Sequence, residues 1–185
     1  VAIAESIGYP VIVKASAGGG GRGMRVVRDV EELRSSIESA RREAAAAFGN
    51  GAVYIEKFLE AARHVEIQVL GDDHGNAVHL SGRDCTSQRR HQKLIEEAPP
   101  PNVDPAKLEA VATSAAAMIR EAKYRGAATV EFLMDRNQDF YMLEVNTRVQ
   151  VEHPVTEVIT GVDIVRETIR VAAGEPLSIT QDDVV

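Results

Sequence analysis

Four consecutive glycines, Gly18 to Gly21, followed by Arg22 and Gly23, separate two apolar runs near the start of the chain. Glycine loses more backbone freedom on ordering than any other residue, so such a tract is a poor former of helix or strand. The run before it, Val11 to Ala15 (VIVKA), is bounded by Pro10 and reads as a strand; the run after it, Met24 to Arg28, reads as a second. A glycine loop between strands has a chemical use, because bare backbone N–H groups can wrap an anion closely. Lys14, at the end of the first strand, can point a cation at the same anion. The competing reading is a solvent loop beside a snorkelling lysine, and on these residues alone both stand. Gly18-x-Gly20-x-x-Gly23 matches the dinucleotide fingerprint only formally, since that fingerprint opens a helix and here a strand follows. No Gly-Lys-Ser/Thr follows the glycines, so there is no Walker A motif. A strand–loop–strand lid over a triphosphate fits better.

The rest of the chain alternates strands and helices. Asp29 caps a helix, with Glu32 in a capping-box arrangement. Its apolar positions are Val30, Leu33, Ile37, Ala40, Ala44 and Ala47, and Gly49 to Gly51 stop it. Ala52 to Phe58 reads as a third strand. His64 to Leu70 and Ala77 to Arg83 are extended, with GDDHGN turning between them. Residues 84–103 are polar, then proline-rich, and are expected to be loop. Asp104 and Pro105 open a long helix with a stripe of Leu108, Val111, Ala112, Ala115, Met118, Ile119 and Ala122, ended by Gly126. Strands follow at Ala127 to Met134 and Phe140 to about Thr147, joined by DRNQD. A last helix runs from about Asp163 to Ala173. No internal repeat is present.

Composition removes several classes. With 21 Lys and Arg against 28 Asp and Glu, the 185-residue chain carries a formal charge of −7. It has no Trp and only 4% aromatics. A nucleic-acid binder wants basic surface and stacking rings. No apolar run reaches the roughly 18 residues of a membrane span, and no signal-peptide pattern is seen. One cysteine, Cys85, cannot form an internal disulfide, which points to a reducing, cytosol-like compartment. The chain starts at Val1 inside what reads as a helix, as expected of a piece of a longer protein.

The segment Glu144 to Glu152 alternates: Glu144, Asn146, Arg148, Gln150 and Glu152 hold the even positions, and Val145, Thr147, Val149 and Val151 the odd ones. If extended, it sets all five polar groups on one face. Such a face is costly to bury unless it binds something charged. Glu131 interrupts an apolar strand, and the short turn beyond it brings it near Glu144. Two carboxylates and an Asn oxygen suit a hard divalent cation, with Mg²⁺ on nucleotide phosphates the usual choice. Arg148 offers a fork for a small planar oxyanion, and Glu152 is a candidate general base. The alternative is a solvated edge strand.

Gln88 to Lys93 (QRRHQK) is dense in donors; it is either a solvated charge run or a surface facing nucleotide or anion. Glu56 to Leu59 ends a strand as a hinge would, and nucleotide sites favour such junctions. Cys85 reads as a buried or loop thiol with no base partner. His74 and His79 read as surface residues. No HExxH, Cys/His zinc pattern or Gly-x-Ser-x-Gly elbow occurs.

Four strings, KASAGGGGRGMRVV, EKFLEAARHVEIQVL, RDCTSQRRHQKLIEEAP and EVNTRVQVEHPVTEVITG, closely resemble the ATP-grasp core of biotin carboxylase, the component of biotin-dependent acyl-CoA and pyruvate carboxylases. The resemblance covers essentially the whole chain. It implies an α/β (α+β) ATP-grasp fold. Residues 1–58 would be the lid subdomain, and 59–185 part of a larger antiparallel-sheet subdomain. It implies that Lys14, Gly20 and Gly21 hold ATP phosphates. Glu56, Lys57 and Leu59 would contact adenine, and His64, Gln88 and His91 the ribose side. Glu131, Glu144 and Asn146 would bind Mg²⁺ or Mn²⁺. Arg148, Gln150 and Val151 would bind bicarbonate, and Lys93 would lie near the phosphate and bicarbonate end. Glu152 would be the base, with Arg148 also steadying the biotin enolate.

The implied reaction is ATP-dependent: bicarbonate takes the γ-phosphate to give carboxyphosphate, which releases CO₂ to the ureido nitrogen of biotin. No Met-Lys-Met biotinylation tripeptide is present, so the biotin would sit on a separate carrier domain. A carboxyltransferase and flanking N- and C-terminal parts are the other implied partners, in an oligomeric parent enzyme that is cytoplasmic, or in the mitochondrial matrix if eukaryotic. Turnover by these residues alone is expected to be weak or nil. Ala17 stands where the family often has another glycine. The alternatives are another ATP-grasp ligase, such as a carbamoyl-phosphate synthetase-like enzyme, and a non-catalytic nucleotide-binding or assembly module.

Overall fold

The computed structural model describes residues 1–17, 24–90 and 92–184. The glycine tract, with Gly20 and Gly21, and also His91, lie outside the described residues. The chain divides into two compact units, Val1–Glu60 and Ala61–Val185.

In the first unit, α1 (Ala2–Ile7) precedes β1 (Val11–Ala15), β2 (Arg25–Val27), α2 (Val30–Phe48) and β3 (Val53–Lys57). The sheet is antiparallel in the order β2-β1-β3. Leu33 and Ala40 of α2 close over Val11, Val13 and Val27, with Ala4 of α1 alongside. Asp29 Oδ1 accepts from Glu32 N at 3.0 Å, as its cap role requires. The expected capping box closes on that side only. Glu32 Oε2 reaches the N–H of Arg28 at 3.5 Å, one residue ahead of the cap. The apolar stripe is also narrower than expected, with Val30 and Ala47 exposed. Gly49 ends α2 at φ 69, a left-handed conformation natural to glycine.

The second unit is a five-stranded antiparallel sheet in the order β6-β5-β4-β7-β8. Its strands are β4 (Arg63–Gly71), β5 (Ala77–Arg89), β6 (Gln92–Glu97), β7 (Gly126–Met134) and β8 (Phe140–Asn146). The expected loop over 84–103 is corrected: β5 runs on to Arg89 and β6 pairs with it. The polar composition misleads there because strand pairing overrides local propensity, with Asp84, Gln88 and Lys93 meeting partners on β4 while most of the other polar side chains stay exposed.

Helix α3 (Pro105–Glu121) is capped by Asp104 and ends at Ala122, short of Gly126, which instead starts β7. It lays Ala112, Ala115 and Ile119 on Ile67, Val69, Ala128, Val130 and Phe132. On the opposite sheet face, Leu70, Leu80 and Ala127 meet Val162 and Ile164, the latter at the start of α5 (Ile164–Ala172). The extended reading of 144–152 is corrected too. Strand β8 stops at Asn146, and α4 (His153–Thr160) begins after Glu152. Pro154 in its first turn lacks an N–H that nothing there would use, and Gly161 closes it at φ 71. His79, read as a surface residue, is buried: its backbone exchanges hydrogen bonds with Gln181, and Nε2 lies 3.2 Å from Glu109 Oε1. Among the described residues no helix is long and apolar enough to cross a membrane.

Candidate active site

Strand period and register build the site. Residues directly opposite in an antiparallel ladder point to the same face. Arg83 of β5 pairs with Glu66 of β4, Glu66 with Glu131 of β7, and Glu131 with Glu144 of β8. One row across four strands therefore carries a guanidinium and three carboxylates. Arg83, Glu66 and Glu131 are buried, while Glu144 at the outer strand is exposed.

Lys93 of β6 reaches into this row. Its ammonium donates to Glu66 Oε2 (2.5 Å), Glu131 Oε1 (2.8 Å) and Glu152 Oε1 (2.6 Å), which uses all three of its N–H bonds. Glu131 Oε1 also accepts from Asn146 Nδ2 at 3.1 Å and Gln150 Nε2 at 3.0 Å. Its second oxygen lies 3.1 Å from His64 Nε2, though off the line of a well-formed hydrogen bond. Gln88 Nε2 donates to Cys85 O (2.9 Å) and meets His64 Nδ1 at 3.0 Å. In this arrangement His64 carries its proton on Nε2, toward Glu131.

The electrostatics follow from this crowding. Burial pushes Glu131 up, but His64, Lys93 and Gln150 outweigh it and bring the carboxyl down to about 2. Glu152 is also pushed up by burial and pulled lower, on balance, by Lys93. Burial disfavours the Lys93 cation, yet Glu66 and the two other carboxylates hold it above the ordinary lysine range. Burial pushes the Cys85 thiol far up, which makes it a buried thiol and not a nucleophile.

The site thus gathers His64, Gln88, Lys93, Glu131, Asn146, Gln150 and Glu152 from the residues expected at sequence level. Arg148 is exposed; Nη2 donates to Asn146 Oδ1 at 3.0 Å and Nη1 to Val149 O at 3.5 Å, so each arm of the fork has one contact within the chain. Val151 is 94% exposed. In the first unit Lys14 is ion-paired with Glu56. Lys57 Nζ donates to Gly8 O and Tyr9 O at 2.9 and 3.1 Å, so its ammonium holds the end of α1. Leu59 is half-buried.

Sequence reasoning missed Glu66, Gln68, Arg83, Thr129 and Thr156. A signal existed for two of them, since Glu66 and Gln68 alternate with Val65, Ile67 and Val69 as Glu131 does with its own apolar neighbours. Thr129, between Ala128 and Val130, continues the alternation of Glu131, while Arg83 and Thr156 have no such mark.

Glu131 and Glu144 are the carboxylates a divalent cation would meet at the outer end of the row. They are like charges set directly opposite, an arrangement that is destabilising by itself and that a cation relieves. Both are hard oxygen donors, whereas Asn146 turns Nδ2 to Glu131 and its Oδ1 accepts from Arg148. Among the described residues, two groups bring ligand atoms within 4.8 Å of one another, His64–Glu66–Glu131 and Glu66–Cys85–Glu152; Glu144 stands outside both. Gln150 Oε1, on a side chain 6% exposed, has no partner among the described residues and is an open acceptor.

Known proteins share this sequence and fold. The chain is 61% identical over 186 residues to the biotin carboxylase of Pseudomonas aeruginosa, covering 100% of this chain and 41% of that protein. It is 55% identical over 184 residues to the propionyl-CoA carboxylase alpha chain of Ruegeria pomeroyi, covering 100% of this chain and 27% of that one. The crystal structure of a biotin carboxylase–β,γ-ATP complex from Campylobacter jejuni superposes with a TM-score of 0.91 at 49% identity, covering 98% of this chain and 40% of that chain. The biotin carboxylase domain dimer of the Hydrogenobacter thermophilus 2-oxoglutarate carboxylase, with MgADP, ADP and bicarbonate, gives 0.91 at 51% identity, covering 99% and 40%. The chain thus spans 41% of the length of the Pseudomonas relative. Its two antiparallel sheets with flanking helices are the expected ATP-grasp fold, as found in these biotin carboxylase structures. The family described as carbamoyl-phosphate synthase L chain, ATP binding domain matches residues 1–180; the chain belongs to that family.

Proposed function

We propose that the protein containing this chain is a biotin carboxylase, which uses ATP to carboxylate biotin with bicarbonate. The observation that carries the reading is the clustering of Lys93, Glu131, Gln150 and Glu152 within a chain 61% identical to a biotin carboxylase along its whole length. Biotin would be delivered on a separate carrier domain and handed on to a carboxyltransferase, in an oligomeric, cytoplasmic or mitochondrial-matrix enzyme.

Lys14 and the glycine tract are assigned to the ATP phosphates, and Glu56, Lys57 and Leu59 to adenine. Because the Lys57 ammonium is already engaged, its contact would come from the backbone. His64, Gln88 and His91 are assigned to the ribose side. Glu131, Glu144 and Asn146 would hold Mg²⁺ or Mn²⁺. The ion, when bound, supplies charge neutralisation for the transferring phosphoryl group.

The exposed guanidinium of Arg148, the amide of Gln150 and the backbone at Val151 are assigned to bicarbonate. Glu152 is the proposed base. Paired with Lys93 it is ionised but weakly basic, since a depressed pKa lowers proton affinity. An anion that draws the Lys93 ammonium to itself releases Glu152 and raises its basicity when the proton must be taken. Lys93 and Arg148 then face the charge that develops at the phosphoryl and carboxyl oxygens, the electrostatic part of the reaction.

The test is ADP formation by the full-length protein with MgATP, with and without bicarbonate and free biotin. Dependence on both supports the reading. Bicarbonate-dependent turnover that ignores biotin favours a carbamoyl-phosphate synthetase-like ligase. Nucleotide binding without turnover favours a binding module.

A further inference from the structure

Arg83 has no exposed surface, and no role assigned above uses it. Its partner Glu66 is equally buried. Burying such a pair is often no better for stability than an apolar pair of the same size, so its presence calls for another explanation. The guanidinium touches four side chains on three elements, β4, β7 and α4. Nε donates to Glu66 Oε1 at 2.6 Å, and Nη1 to Gln68 Oε1 at 2.9 Å and to Thr156 Oγ1 at 2.7 Å; Nη2 lies 3.4 Å from Thr129 Oγ1. Two of these contacts lead to the reacting end of the site. Glu66 gives one oxygen to Arg83 and the other to Lys93. Thr156 sits in α4, whose N-cap is Glu152.

We propose that Arg83 is a positioning residue for bicarbonate chemistry: through Glu66 it sets the Lys93 ammonium, and through Thr156 it sets the helix that presents Glu152. This rests on the biotin carboxylase reading. The geometry explains why the residue is an arginine. The guanidinium spreads its donors over Nε, Nη1 and Nη2, so it meets Glu66, Gln68, Thr156 and Thr129 together, a spread that the single nitrogen of a lysine lacks. Arg83 also supplies one of two cations, with Lys93, among the three carboxylates Glu66, Glu131 and Glu152.

The test uses the full-length protein and the variants Arg83→Met, Arg83→Lys and Thr156→Val, each with a melting curve. Loss of a charge-assisted contact is expected to raise the KM for bicarbonate about tenfold or more in Arg83→Met, while the KM for ATP stays within about twofold. Arg83→Lys does not restore it. Thr156→Val, which removes only the arm to α4, raises it about fivefold, the scale of one neutral hydrogen bond. An unchanged bicarbonate KM in either folded Arg83→Met or Thr156→Val overturns the proposal, as does a parallel rise of both KM values. Should Arg83→Met fail to fold, Thr156→Val decides alone. A wild-type protein with no bicarbonate- and biotin-dependent turnover counts against the functional reading instead. Positioning is then read from a crystal structure of the folded variant. Lys93 Nζ displaced from Glu152 Oε1, 2.6 Å away here, supports it, and an unmoved contact overturns it.

Discussion

Glu66 and Glu131 stand directly opposite one another across β4 and β7, and Lys93 Nζ bridges them at 2.5 and 2.8 Å. Two buried carboxylates in such a pair repel, so the arrangement depends on the lysine from a strand two places away in the sheet. Replacing Lys93 with Met leaves three carboxylates around one arginine. Breaking a buried charge network by removing one partner costs about 3–5 kcal/mol. The loss is expected at pH 7 and shrinks on mild acidification, because the freed carboxylates then take up protons and stop repelling. Urea denaturation of wild type and Lys93→Met at pH 7 and pH 5 measures it. An equal deficit at both pH values would contradict the account.

Glu152→Gln keeps the shape of the side chain and removes the proton acceptor. In the full-length protein, bicarbonate-dependent ADP formation is expected to fall about a hundredfold or more, the scale of a lost general base. Full activity in this variant would sink the assignment of Glu152 as the base.

Asp72 ties the C-terminal tail to the turn between β4 and β5. Oδ1 accepts from the N–H groups of His74 and Asn76, and Oδ2 from Asn76 Nδ2 and the Leu177 N–H. Burial raises its pKa, but these four donors prevail and hold it below the ordinary 3.8. A folded pKa below the unfolded one gives stability that is complete above the unfolded value and is lost as pH falls through the folded one. Asp72→Asn faces an amide N–H₂ to donors and is expected to cost about 1–3 kcal/mol at pH 7. The difference from wild type narrows once the pH is below 3.8. Denaturant melts across that range would show it.

Gly71 has no room for a side chain. A Cβ there would come within 2.5 Å of Tyr124 O and 3.0 Å of Ile119 Cγ2. The first is backbone and cannot swing away. Gly71→Ala is expected to lower stability by about 1–3 kcal/mol, the usual cost of overpacking. By contrast, a Cβ at Gly75 meets nothing within 4 Å and would pay only for its positive φ of 87. Thermal melting of the two variants compares them.

Much of this was legible in the residues. Asp29, Asp104 and Asp163 mark helix starts, and each accepts a backbone N–H in its own first turn. Glu131 was visible as a charge in an apolar strand, and the short turn after it was enough to set it beside Glu144. The stretch 84–103 was not legible, and with it went the strand that carries Lys93. Its polar side chains carry no periodic signal: most are exposed, and the few that turn inward, such as Asp84 and Lys93, meet charges far away in sequence. The alternation through Glu144 to Glu152 overreached: period two persists in the letters after Asn146, but the strand ends there and Pro154 opens a helix that Gly161 closes.

By itself, the sequence determined most of the strands and helices outside 84–103 and 147–160, and which side chains those strands turn to a face, because these depend on local period and caps. The tertiary structure decided which charge meets which. Arg83, Glu66, Glu131 and Glu144 become one row only through the register of four strands, and Lys93 joins them only because β6 pairs at the edge of that sheet. Register is a property of paired strands and cannot be read from any one of them.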